Sequence, residues 1–263
     1  MTYNFIFLVI MFFTFCAGGQ TMAEDQLKNP HPPNRSESSL EKQKKDLVID
    51  LVSPLIANEK YIKKYQEGNF TAVGVTLAVN DGYHETLKTI SKWRTRFKDR
   101  QSELIHIRTI DDIMTAYRQN KLGIIFHFQN SNPLDNTIDL VDTYYELGVR
   151  VMQLTYNSKN TFGCGCEVET DTGLTQQGYA LIERMNEVGM LIDLSHAVYK
   201  TALDIIASSK KPVILSHSNA AAVCDFPRNV PDDVIYAIAQ NNGVIGLNAF
   251  SPYNCKKCIS SDT

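Results

Sequence analysis

Two histidines close two apolar runs of this sequence. Gly189-Met190-Leu191-Ile192-Asp193-Leu194-Ser195-His196 and Lys211-Pro212-Val213-Ile214-Leu215-Ser216-His217-Ser218 each read as a buried strand, too short for a helix, ending on Ser-His. Neutral imidazoles on neighbouring strand ends are a common start to a divalent metal site, and zinc suits such ligands. A catalytic zinc polarises a carbonyl and brings the pKa of water toward neutrality, which suits amide hydrolysis. One Ser-His at a strand end has a plainer reading, a hydrogen-bonded core histidine. Two in consecutive strands shift the balance toward a site.

The histidines share a cavity only if their strands are parallel neighbours. A helical stretch over 199–209 separates them, and a right-handed strand–helix–strand crossover brings both C-terminal strand ends to one edge. The same unit recurs along the chain. Further strands are predicted over 47–52, 71–77, 122–129, 149–155 and 243–248, and helices over 83–100, 110–120, 135–147, 175–188 and 231–241. Such alternation predicts a parallel sheet with helices outside. A glycine-rich phosphate loop, usual after the first strand of a doubly wound sheet, is missing. Polar residues instead gather at strand C-termini: Gln129, Thr155-Tyr156-Asn157, Ser195-His196, Ser216-His217 and Asn248. That is how a (β/α)8 TIM-type barrel presents its site. Seven of the eight strands are counted, so residues 46–263 are expected to form an incomplete barrel. We expect the chain to be a fragment whose eighth strand, ending in an acidic residue, lies beyond Thr263; closure by a partner chain is the alternative.

Composition agrees with one barrel-sized domain: 263 residues, 43% hydrophobic and 21% charged. A net charge of −3 without a basic stripe recommends no nucleic-acid partner. Residues 3–15 are uncharged and hydrophobic, and small residues follow. Residues 1–23 therefore read as a signal peptide for an exported protein, whether periplasmic, secreted or membrane-anchored, and any membrane contact is expected only through that segment. Residues 24–45, polar and proline-bearing, read as a linker in which His31 is solvated. Of the six cysteines, one lies in the signal, and Cys164 and Cys166 are too close to pair comfortably with each other. Cys255-x-x-Cys258 reads as a disulfide or free thiols rather than a zinc site.

The two Ser-His segments, followed by Asn219-Ala220 and by Arg228-Asn229-Val230-Pro231-Asp232-Asp233, resemble the membrane (renal) dipeptidase family. These are metal-dependent barrels related to the amidohydrolases, and the likeness runs over roughly residues 46–253. The resemblance implies that His196 and His217 are metal ligands and that Arg228 holds a substrate carboxylate. A planar guanidinium suits that task because it grips a carboxylate bidentately. Four departures stand beside these matches. Val52 and Pro54 occupy the positions of a first-strand His-x-Asp ligand pair, Gln129 that of a glutamate bridging two metals, and Tyr156 that of a histidine near the scissile bond. The aspartate of strand eight, by resemblance a general base or ligand, is not in this sequence, so no catalytic acid is assigned. Phe128-Gln129-Asn130, Thr155-Tyr156-Asn157 and Gly163-x-Gly165-Cys166 resemble a bacterial branch with the same replacements. The implied protein is a metallohydrolase cleaving dipeptides or similar small amides with one zinc or none, with Arg228, Tyr156 and Gln129 binding substrate, and a homodimer by family habit. The alternative is a degenerate, non-catalytic barrel that binds a small peptide or amino-acid-like ligand.

Other residues carry less. Asp193 either orients an imidazole from behind or pairs with a strand neighbour. His127 alternates with Gln129 but is flanked by phenylalanines and reads as a core histidine. His84 and His106 read as surface residues, and Trp93 with Phe97 as a packing stripe. Cys164-Gly165-Cys166 either shapes the approach to the cavity or makes a tight turn. Asn34-Arg35-Ser36 and Asn69-Phe70-Thr71 are glycosylation sequons.

Overall fold

A computed structural model describes residues 46–254. The signal peptide, the linker, the sequon at Asn34 and the Cys255/Cys258 pair lie outside the described residues. The seven expected strands are all present: β1 (Ile49–Ser53), β2 (Ala72–Ala78), β4 (Leu122–Phe128), β5 (Val149–Gln153), β6 (Leu191–Asp193), β7 (Ile214–Leu215) and β8 (Val244–Ile245). They pair in parallel in the order β1-β2-β4-β5-β6-β7-β8, an incomplete TIM-type barrel.

One further strand, β3 (Leu104–Ile107), pairs with the first half of β4, and β5 takes the second half of the same edge. This corrects the reading of His106 as a surface residue. Its ring stacks on Phe97 at 5.0 Å and lies 4.1 Å from Phe126, and burial pushes its pKa down to about 4. Where β3 ends and β5 begins, Gly148 has φ +100°, and a Cβ there would sit 2.1 Å from the His106 ring. Only glycine fits both constraints.

Helices α1 (Glu59–Glu67), α2 (Tyr83–Asp99), α3 (Ile110–Gln119), α4 (Leu140–Glu146), α5 (Gln176–Val188), α6 (Tyr199–Ser208) and α7 (Asp232–Gln240) cover the sheet. Their starts follow local chemistry. Thr109 and Asp112 form a reciprocal capping box before α3, and the Thr175 side chain accepts from Gly178 N at α5. The expected helix over 135–147 is shorter, because Asp135 and Asn136 both adopt left-handed backbone after a 3-10 turn at Asn132–Leu134. Helix α1 was not anticipated.

The core is continuous and apolar. Val73, Val75, Ile124, Phe126, Phe128 and Met152 from the sheet meet Trp93, Leu181, Met185 and Ile205 from the helices, all within one buried cluster. Phe97 stacks on Phe126 and Trp93 meets it edge-on, a packing stripe as the sequence suggested. Among the described residues no helix is long and apolar enough to cross a membrane. Cys164 and Cys166 are free thiols, and Cys224 is disulfide-bonded.

Candidate metal centre

Strands β6 and β7 lie side by side, with Asp193 opposite Ile214, so both Ser-His pairs emerge at one mouth. His196 Nε2 and His217 Nε2 face each other at 3.1 Å. Two nitrogens held by one tetrahedral zinc would be about 3.3 Å apart. Gln129, leaving the end of β4, brings its Nε2 to 3.4 Å from His217 Nε2. Tyr156, just beyond β5, stacks on the His196 ring at 4.0 Å. Arg228 is buried beside them and donates from Nη2 to His217 O, while its Nε has no partner. The structure thus brings together all five residues singled out from sequence.

Hydrogen-bond accounting fixes both tautomers. Asn157 turns its Nδ2 to Glu167 Oε1 (2.6 Å), leaving Oδ1 to accept from His196 Nδ1 (2.8 Å). Ser216 gives its only hydroxyl hydrogen to Asp193 Oδ2 (2.5 Å), so its oxygen accepts from His217 Nδ1 (2.6 Å). Each ring therefore carries its proton on Nδ1 and presents a bare Nε2 lone pair to the other. Burial, followed by the nearby Arg228 charge, lowers His196 to about 2. Burial also lowers His217 to about 4, against an opposing pull from Asp193. Neither ring takes a second proton at neutral pH, so the facing lone pairs are complementary to a cation. Behind each imidazole stands a carboxylate acting through a neutral link, the arrangement that orients ligating histidines.

Asp193 is the anchor of this assembly. Its Oδ1 accepts from Ser195 N, Ser195 Oγ and Ser216 N, and its Oδ2 accepts from Ser216 Oγ and Gln153 Nε2. His127 Nε2 lies 3.1 Å from Oδ2. Burial on its own would raise the Asp193 pKa, but the His127 contact, the neighbouring His217 and the Ser195 bond hold it well below the usual carboxylate range. His127 is fully buried, as its flanking phenylalanines suggested, and it is part of this network.

Val52 and Pro54, at the end of β1, carry no metal-binding group, and among the described residues no three His, Cys, Asp or Glu side chains are placed to hold a metal ion. Sequence reasoning missed Asn157 and Ser216 as the links behind the imidazoles. The available signal was that Ser216 directly follows β7 and Asn157 lies four residues past the end of β5. It also left Cys166 undecided: its Sγ lies 3.4 Å from Asn157 Oδ1 and 4.0 Å from His196 Nδ1, inside the assembly. The loop that carries Cys166 turns tightly, since a Cβ on Gly165 would sit 1.9 Å from Tyr156 O.

The sequence pattern of the membrane dipeptidase family (Peptidase family M19) matches residues 38–260. The chain belongs to that family. A protein described as an uncharacterized dipeptidase of Schizosaccharomyces pombe is 33% identical over 174 residues, covering 64% of this chain and 42% of the relative. Dipeptidase verJ of Clonostachys rogersoniana is 33% identical over 139 residues, 52% of this chain and 36% of its own length. The chain thus spans less than half the length of these relatives. Among solved structures, an amidohydrolase from Pseudomonas aeruginosa superposes with a TM-score of 0.77 at 33% identity, covering 81% of this chain and 66% of that one. A metallopeptidase from Rhodobacter sphaeroides, bound to a phosphinate mimic of the dipeptide L-Ala-D-Ala, shares the fold with a TM-score of 0.72 at 18% identity, over 79% of this chain and 75% of that chain.

Proposed function

We propose that this chain is the metal- and carboxylate-binding part of an exported dipeptidase that hydrolyses a small amide with a single zinc ion. The observation that carries the reading is the pair of bare Nε2 atoms at 3.1 Å, each ring held from behind through Nδ1. His196 and His217 hold the ion, and Gln129 is the third protein group within reach. When bound, such an ion supplies Lewis-acid polarisation of the amide carbonyl and makes water acidic enough to attack at neutral pH. The donor set fits one ion and not two, because Val52 and Pro54 offer no ligand and a neutral amide is a poor bridge between dications.

The remaining residues bind and orient. Arg228 has a buried, unpartnered Nε, a donor that a substrate carboxylate satisfies, and its Nη2 bond to His217 O ties the carboxylate subsite to the metal pair. Tyr156 covers the His196 face and excludes water from it. Asp193 and Glu167 keep the two Nδ1 protons in place through Ser216 and Asn157. Residues 1–23, by their hydrophobic composition, direct export.

The test is direct: zinc content and chelator-sensitive hydrolysis of dipeptides by the purified chain, beside His196→Ala. About one zinc per chain and turnover abolished in the variant are expected. Zinc at background with no turnover favours a binding barrel without catalysis.

A further inference from the structure

Beside Tyr156, whose ring stacks on His196, lies a polar trough in which asparagine is the commonest side chain. A cavity of about 370 Å³ runs away from Tyr156 between Asn80, Asn130, Asn132, Asn157 and Asn160. A second lobe of about 280 Å³ shares Asn80, Asn132 and Asn160 and is lined further on by Gly82, Asp135 and Phe162. The segments after β2, β4 and β5 supply these residues, whereas Arg228 follows β7. In sheet order, β6 with His196 lies between the trough segments and β7, after which both His217 and Arg228 follow.

The side chains in the trough fall into two sets. Asn160 is locked: Nδ2 donates to Asn130 Oδ1, Ser131 Oγ and Leu154 O, and Oδ1 accepts from Phe162 N and Gly163 N. Asn157 is committed to His196 and Glu167. Asn80 and Asn132 are exposed to the cavity, and among the described residues their side chains bond to no other residue. Two free amides on a rigid polar floor offer donors and acceptors without net charge. In the cavity beside Tyr156, Lys159 and Glu167 oppose each other in sign and favour neither ion; Asp135, the one further charge, lines only the lobe beyond. An apolar group placed here would strip water from the amides and return no hydrogen bond.

We propose that this trough is the subsite for the residue on the amino side of the scissile amide, and that it selects a polar, uncharged side chain of the serine, asparagine or glutamine kind. The inference rests on the dipeptidase reading for the placement of the scissile bond: with the carboxylate at Arg228 and the carbonyl at the histidine pair, the amino-side residue extends past Tyr156 into the trough.

The test uses the full chain and a series of Xaa-Ala dipeptides, with Xaa Ser, Asn, Gln, Val, Leu or Phe. Binding by calorimetry and hydrolysis are measured separately. Polar members are expected to bind about tenfold tighter than the apolar ones. Asn80→Leu with Asn132→Leu is expected to erase or invert that order. Both positions are exposed, so unchanged thermal unfolding serves as the folding control. Equal or tighter binding of Leu and Phe peptides, or an order unmoved by the double variant, overturns the proposal. Polar peptides that bind in the expected order without being hydrolysed leave the subsite standing and sink the dipeptidase reading. Failure of every peptide to bind overturns both.

Discussion

The two sides of the barrel mouth differ in how deeply their polar residues are built in. On the β6–β7 side, His217 rests through Ser216 on Asp193, which takes five hydrogen bonds and the His127 contact in the buried interior, and His196 rests on Asn157. On the β1–β4 side, Val52 and Pro54 need no such support, and Gln129 has a single long contact to His217. A ligand embedded in a buried network cannot be exchanged without orphaning its partners. A ligand without one is replaced at little cost to the fold. The residues that the family resemblance implies as ligands stand where replacement is structurally expensive, and the departures from it stand where replacement is not.

Removing the anchor is the strongest way to break this contrast. Asp193→Ala leaves five donors and His127 facing an apolar void, and a loss of about 3–5 kcal/mol in unfolding free energy is expected. Asp193→Asn, which keeps the shape, is expected to lose less. Gln129→Ala is expected to cost under about 1 kcal/mol. Denaturant unfolding of the three variants measures the asymmetry directly. If Gln129→Ala proves as damaging as Asp193→Ala, the difference between the two sides has another cause.

The next effect falls on the ion rather than on the fold. Ser216→Ala removes the acceptor for His217 Nδ1, and Asn157→Leu removes the one for His196 Nδ1, leaving each ring free to turn or change tautomer. A loss of zinc affinity of about 10–100-fold is expected for each, the usual size for such supporting groups. Competition with a chromophoric chelator reads the loss, and the nitrogen chemical shifts of the histidine rings report the tautomers. Unchanged affinity in both variants would show that the rings are held by packing alone.

How much of this was legible beforehand follows from the same physics. Apolar runs ending in Ser-His are a local signal, and they located β6, β7 and the mouth. The four-residue β3 was missed because His106 interrupts its apolar pattern, and the burial of that ring depends on Phe97 and Phe126, which come from elsewhere in the chain. The second role of Ser216 was hidden for a different reason. Serine at a strand end is ordinary, and only the 2.5 Å approach to Asp193 makes its oxygen an acceptor. The asparagine trough is assembled from three separate segments, and no window of the sequence displays it.

The smallest effect is also the sharpest test of the β1–β4 side. Gln129→Glu restores a carboxylate 3.4 Å from His217 Nε2 without touching the Asp193 network. A charged oxygen ligand binds a dication better than an amide does, so zinc affinity is expected to rise about tenfold. Stoichiometry is expected to stay at one, because a bridge needs a second set of ligands and Val52 and Pro54 supply none. The triple variant Val52→His, Pro54→Asp, Gln129→Glu carries that set, and it is expected to take up a second equivalent in a metal titration. Two equivalents bound by Gln129→Glu alone would mean that a donor outside this accounting already faces the mouth, and the one-ion reading would fall. One equivalent in the triple variant would locate the loss in the path of β1 rather than in its side chains.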